Sequence, residues 1–195
     1  MRIIGITGGI GAGKSAVLKL LHDKYSAKIV EADKVAHELQ LPGQPVYNEI
    51  IKTFGVDVLS ESGMIDRIKL GALVMNDSDK LKKLNDMIHP SVKKYILTDI
   101  ENSRDNTDIY VIEAALLIQG GYKKICEEMW YIRADEDVRI SRLLLSRGYT
   151  KERALRVIKN QPDDAFYIQN SDKIIENSGS VNELEKVVES ALNMC

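Results

Sequence analysis

Residues 2–21 read Arg2-Ile3-Ile4-Gly5-Ile6-Thr7-Gly8-Gly9-Ile10-Gly11-Ala12-Gly13-Lys14-Ser15-Ala16-Val17-Leu18-Lys19-Leu20-Leu21. The opening run is short, apolar and rich in β-branched side chains, which predicts a strand, and Ala16 onward carries apolar side chains at helical spacing. Between them, Gly8 to Ser15 fill the pattern G-x-x-x-x-G-K-[ST]. Strand, glycine loop and helix form the context in which that pattern cradles phosphate. Glycines let the backbone wrap closely and aim N–H groups inward, and the helix N-terminus adds partial positive charge. Lys14 then brings a full charge to the β/γ-phosphates, and the Ser15 hydroxyl is a Mg²⁺ ligand. The alternative, a glycine-rich turn that binds nothing, needs four glycines and Lys-Ser at fixed offsets by coincidence.

The chain has 195 residues, 44% hydrophobic and 29% charged, as in an ordinary globule. A net charge of −2 gives no general attraction to nucleic acid or anionic membrane, so any anion site is local. Cys126, expected in a helix, and Cys195 are too few for a disulfide framework, which fits a reducing cytoplasmic compartment. No run approaches a membrane span. A monomer or weak homo-oligomer is expected.

Four more apolar runs read as buried strands: 27–31, 108–112, 129–132 and 173–176. Longer helical stretches separate them, the signature of a parallel α/β sheet. Residues 33–106 are helical almost throughout, broken at Leu41-Pro42-Gly43, Phe54-Gly55, Ser62-Gly63 and His89-Pro90. One crossover helix needs far less chain, so this is an inserted helical subdomain, suited to a second substrate. Residues 135–170 form a second helical excursion. The stripe Val181, Leu184, Val187, Val188 and Leu192 is core packing of a last helix.

A phosphate loop alone does not name the reaction. No Asn-Lys-x-Asp guanine signature and no Asp-x-x-Gly switch is present, which disfavours a regulatory GTPase. Glu113, ending its strand, either acts on Mg²⁺ through water or is a structural hydrogen-bond partner. Asp33 follows the second strand, and ligands in open parallel sheets sit beyond the carboxyl ends of strands. Asp33 and His37 are four apart on one helix face, spaced to orient and deprotonate an alcohol. The structural alternatives are a helix N-cap for Asp33 and a half-buried packing residue for His37.

The chain resembles the dephospho-coenzyme A kinase family over nearly its whole length. The resemblance rests on 4–15, Ala32-Asp33 with Ala36-His37, Pro42-Gly43, Phe54-Gly55 and Ile65-Asp66-Arg67 with Leu70-Gly71. It continues through Leu84-Asn85 with Ile88-His89-Pro90, Leu116-Leu117, Arg142-Leu143 with Arg147, Gln161 and Asn177-Ser178-Gly179. It implies an α/β, three-layer P-loop kinase fold: a five-stranded parallel sheet with helices on both faces, an inserted helical coenzyme A-binding subdomain (33–106) and a helical lid (135–170). The implied reaction transfers the γ-phosphoryl of ATP to the ribose 3′-hydroxyl of dephospho-coenzyme A. The implied ATP-binding residues are Gly11, Ala12, Gly13, Lys14, Ser15, Ala16, Arg142, Arg147, Asn177 and Gly179, with Mg²⁺ on Ser15. Asp33 corresponds to the general base and shares the catalytic role with Lys14; His37, Asp66, Arg67 and His89 line or support the acceptor site.

Each lid arginine has a simpler reading as a solvated helix face, and Arg133, Arg139, Arg153 and Arg156 show how common that is. The simpler reading of His89 is a brace for a turn between helices. Departures from the family pattern are Ala16, Ala115, Gln119, Val157 and Tyr167, with one extra residue between Arg142 and Arg147. Two other readings compete: a kinase of another small metabolite, such as shikimate or a nucleotide, and an ATP-binding regulator without transfer activity.

Overall fold

Five apolar runs become five strands: Arg2–Thr7 (β1), Lys28–Glu31 (β2), Ile109–Glu113 (β3), Glu128–Arg133 (β4) and Lys173–Glu176 (β5). This computed structural model describes residues 1–114 and 116–193, so Ala115 and Cys195 lie outside the described residues. The sheet order is β2-β3-β1-β4-β5, and β1 pairs in parallel with β3 on one side and β4 on the other. β4 pairs in parallel with β5. Consecutive residues of β1, β3 and β4 are buried, because both faces of the sheet are covered.

The chain divides into two compact units, Met1–Ile29 with Arg104–Cys195, and Val30–Ser103; the division falls inside β2. In the first unit, Ile4, Ile6, Val111, Trp130, Ile132 and Ile175 face Lys14–Tyr25 (α1) and Val181–Asn193 (α9). Each such aliphatic side chain contributes about 1.5–3 kcal/mol on burial. Leu184, Val188 and Ala191 carry the stripe of α9, whereas Val181, expected in it, is 70% exposed at the first turn. On the other face, a side chain at Gly5 would collide with Met129, Cys126 and Leu117, which pack over β1. Cys126 lies after the 3₁₀ turn Tyr122–Lys124 rather than in a helix, and burial pushes its thiol up to about 12.

Three helices follow β4: Glu136–Arg147 (α6), Lys151–Lys159 (α7) and Asp164–Gln169 (α8). Ile140, Leu143, Ala154 and Ile158 form a core between α6 and α7, and Ile10 packs against it. Tyr167, one of the family departures, is buried and stacks on Tyr131 at 4.8 Å.

The second unit holds Ala32–Glu38 (α2), Pro45–Phe54 (α3), Arg67–Val74 (α4) and Ser78–Ser103 (α5). Its core is Val46, Ile50, Val58, Leu70, Val74 and Leu84. Against expectation, no turn occurs at His89-Pro90, because α5 runs through both. Proline removes one helix hydrogen bond and costs about 3 kcal/mol. The apolar series Leu84, Ile88, Val92, Ile96 and Ile100 outweighs that, repeating every fourth residue across the proline. The Ser91 hydroxyl also donates to the Met87 carbonyl at 3.0 Å. Among the described residues, no helix is long and apolar enough to cross a membrane.

Candidate active site

The loop between β1 and α1 is held by its carbonyl groups. Lys14 Nζ donates to Gly8 O at 3.0 Å, and Ala12 N donates to Gly9 O at 3.2 Å. Arg139 Nε donates to Ile10 O at 2.9 Å. Arg142 Nη1 reaches Ala12 O at 3.2 Å and Gly11 O at 3.5 Å. Asn177 Nδ2 donates to Ala12 O at 2.8 Å and lies 3.5 Å from Gly13 O. The carbonyls from Gly8 to Gly13 are thus engaged with side chains or with the loop itself. Carbonyl oxygens repel an anion, so turning them toward donors leaves N–H groups to form the hollow. The left-handed backbone at Gly11 (φ 77°) and Gly13 (φ 88°) makes this reversal, and α1 begins at the next residue.

Close packing at the two ends of the loop explains why side chains are excluded there. A Cβ on Gly11 would lie 2.8 Å from the Arg139 carbonyl, and one on Gly13 would collide with Asn177 Nδ2. Asn177, only 4% exposed, sits directly after β5, and its carbonyl accepts from Arg142 Nη2 at 2.8 Å. Arg142 therefore commits its donors to the backbone of the loop and of Asn177. Gly179 has a local reason to be glycine, because the Glu183 carboxylate folds back over it to accept from Ser180 N. Arg147 ends α6, is exposed, and has no partner among the described residues.

Lys14 Nζ lies 3.5 Å from Glu113 Oε1, a carboxylate almost buried at the end of β3. Ser15 and Ala16 are exposed in the first turn of α1, and the Ser15 hydroxyl has no partner among the described residues. No group of three His, Cys, Asp or Glu side chains gathers to hold a metal among the described residues. One free hydroxyl beside a phosphate hollow suits Mg²⁺, which keeps several waters and binds mainly through substrate phosphates. The donor set therefore fits that ion.

Three of the arginines counted above with solvated helix faces turn out to be engaged, Arg153 by lying over the Tyr149 ring at 4.1 Å. Arg139 bonds the loop, and its Nη2 donates to Gln161 Oε1 at 2.9 Å. Arg133 donates to Asp164 at 2.9 Å and to Glu176 at 2.7 Å, tying the ends of β4 and β5 to α8; these hydrogen bonds raise its pKa. Burial works against charge on Asp164, yet the Tyr131 hydroxyl at 2.6 Å and Arg133 hold its carboxyl below the usual carboxylate range. These contacts join residues far apart in sequence, and helical spacing carries no trace of them. A cavity of about 610 Å³ beside Arg139 is lined by Arg133, Arg156 and Lys159 but also by Asp135, Glu136, Asp163 and Asp164. Its mixed lining gives no net field to select an anion.

In the second unit, Asp33 and His37 are both exposed on α2 and share a face. Asp33 stands in the first turn rather than at the N-cap, which Glu31 occupies, and His37 is not a packing residue. Neither side chain has a partner among the described residues. Asp66 is the N-cap of α4, accepting from Ile68 N at 2.9 Å and Lys69 N at 3.2 Å. That cap fixes the start of α4, where Arg67 is exposed without a partner among the described residues. His89 is exposed within α5.

A family model described as dephospho-CoA kinase matches residues 2–183. The dephospho-CoA kinase of Carboxydothermus hydrogenoformans is 37% identical over 92% of this chain and 87% of its own. That of Aquifex aeolicus is 36% identical over 96% and 94%. A crystal structure of a Thermus thermophilus protein superposes with TM-score 0.81 at 28% identity, covering 98% of this chain and 96% of that one. Shikimate kinase from Bacteroides thetaiotaomicron superposes with TM-score 0.58 at 12% identity, a likeness of fold alone. A phosphate loop braced by α6 and by the residue after β5, on a five-stranded parallel sheet, therefore coincides with a match along almost the full chain: the protein belongs to the dephospho-CoA kinase family.

Proposed function

We propose that this protein transfers the γ-phosphoryl group of ATP to the ribose 3′-hydroxyl of dephospho-coenzyme A, giving coenzyme A and ADP in the cytoplasm. The observation that carries this is the loop whose carbonyls are all engaged, combined with membership of the family. N–H groups of the loop hold the phosphates, and the Lys14 ammonium balances charge on the β/γ-oxygens. When bound, Mg²⁺ on the Ser15 hydroxyl neutralises phosphate charge. Asp33 accepts the proton of the 3′-hydroxyl as its oxygen bonds to the γ-phosphorus and the bond to the β-phosphate oxygen breaks. Phosphoryl transfer asks mainly for such alignment and positive charge. Arg142, Arg147, Asn177 and Gly179 complete the ATP side, and residues 135–170 act as the lid that excludes water.

The acceptor is read by residues 33–106 through His37, Asp66, Arg67 and His89. Arg67 is the strongest of these, since a guanidinium without a partner among the described residues can fork onto a phosphate. A coupled ADP-release assay with dephospho-coenzyme A, adenosine or shikimate tests the function. ADP release that depends on dephospho-coenzyme A supports it; equal turnover of adenosine or shikimate, or none with any acceptor, refutes it. In the same assay, Arg67→Ala should raise KM for dephospho-coenzyme A several-fold and leave that for ATP nearly unchanged.

A further inference from the structure

We infer that Arg139 and Gln161 are positioning residues for phosphoryl transfer, acting through the backbone of Ile10. The inference rests on the loop being the nucleotide site. Three hydrogen bonds close a ring around one residue. Ile10 N donates to Gln161 Oε1 at 2.8 Å, Arg139 Nε donates to Ile10 O at 2.9 Å, and Arg139 Nη2 donates to the same Gln161 Oε1 at 2.9 Å. Both polar groups of the Ile10 backbone are thereby fixed by side chains from α6 and from the segment after α7.

The Ile10 side chain supplies an independent anchor, because it packs against the α6–α7 core of Ile140, Leu143, Ala154 and Ile158. Gly9 and Gly11 flank this pin, and a Cβ on either would collide with Arg139. The loop is therefore fastened to the α6–α7 pair at one residue, by backbone and side chain together. Gln161 sets the direction of the Ile10 N–H, and Arg139 that of its carbonyl. The peptide that follows, whose N–H belongs to Gly11, takes its orientation from them. Aligned donors matter most where charge shifts during reaction, and misplacement by about 1 Å can cost about 10² in rate.

The test compares Gln161→Met, which keeps length but offers no oxygen, with Gln161→Glu, which still accepts from Ile10 and Arg139. Both are assayed for kcat and for KM of ATP, and the hydrogen exchange of the Ile10 amide is measured alongside. Gln161→Met should lower kcat about tenfold with KM for ATP within about threefold, and Gln161→Glu should restore most of the lost rate. The Ile10 amide should exchange at least about tenfold faster in Gln161→Met and stay protected in Gln161→Glu. Equal impairment of the two variants, an unchanged kcat in Gln161→Met, or a loss confined to KM would each overturn the inference. Should Gln161→Met fail to fold, Arg139→Lys takes its place: it keeps charge but has one nitrogen for two partners, and unchanged kcat and exchange there are equally fatal. If the unmodified protein does not phosphorylate dephospho-coenzyme A, the functional reading falls, and amide exchange alone decides whether the ring holds Ile10.

Discussion

Replacing Gly13 with alanine probes the loop with a single methyl group. Gly13 has φ 88° and ψ 30°, a left-handed conformation that costs a residue with a Cβ about 1–2 kcal/mol. The new methyl also meets Asn177 Nδ2, which must withdraw and surrender its 2.8 Å bond to Ala12 O. Losing that bond costs about 1 kcal/mol, rising to about 3 kcal/mol if the buried amide finds no other partner. The sum is about 2–5 kcal/mol. Urea unfolding followed by the fluorescence of Trp130 measures it, since the chain's one tryptophan is fully buried in the same unit as the loop. In an Asn177→Ala background the collision is gone, and Gly13→Ala should cost only the backbone part. The double-mutant cycle should therefore show a coupling of about 1–3 kcal/mol. An equal cost in both backgrounds would refute the claim that Asn177 and the loop backbone compete for the same space.

Lys14→Ala should lower turnover by about 10²–10³ while circular dichroism stays native, and retention of more than about a tenth of the rate would remove the loop from catalysis. Asp33→Asn should reduce kcat with little change in KM for ATP; an equal, large loss of ATP affinity would make Asp33 a structural or metal-binding residue. Asp164, held below its unfolded pKa of 3.8, contributes stability that is full above that pH and lost as pH falls through its folded value. Urea titrations should therefore show the stability gap between the unmodified protein and Asp164→Asn closing as pH drops below 3.8, and a pH-independent gap would exclude the ion pair as its source.

What was legible in the chain is what local chemistry encodes. The strands stood out because burial on both faces demands unbroken apolar runs, as in Tyr110-Val111-Ile112. The loop was legible because its glycines, Lys14 and Ser15 act at fixed offsets. Pro90 misled because proline punctuates most helices, whereas α5 absorbs it through an apolar series that a local reading undervalues. Arg139 looks like a solvated residue in the sequence, since nothing in α6 distinguishes an arginine facing water from one reaching a carbonyl 129 positions away. Gln161 stood among the family motifs, but its partner Ile10 is 151 positions distant. Asp33 and His37 share their face as the spacing required, while the cap at Asp66 needed the start of α4 to be known.

The order in which the chain is made gives the brace around the loop a temporal meaning. The ribosome makes Lys14 and Ser15 long before the side chains that fix the loop's backbone, which come from Arg139, Arg142, Gln161 and Asn177. At about 5–20 residues per second, Asn177 is added roughly ten to thirty seconds after Lys14. β4 and β5, which complete the sheet beside β1, also arrive late. A nascent chain therefore carries the nucleotide signature long before the side chains that brace it exist, and any stabilisation by ATP that depends on this brace waits until Asn177 has been made.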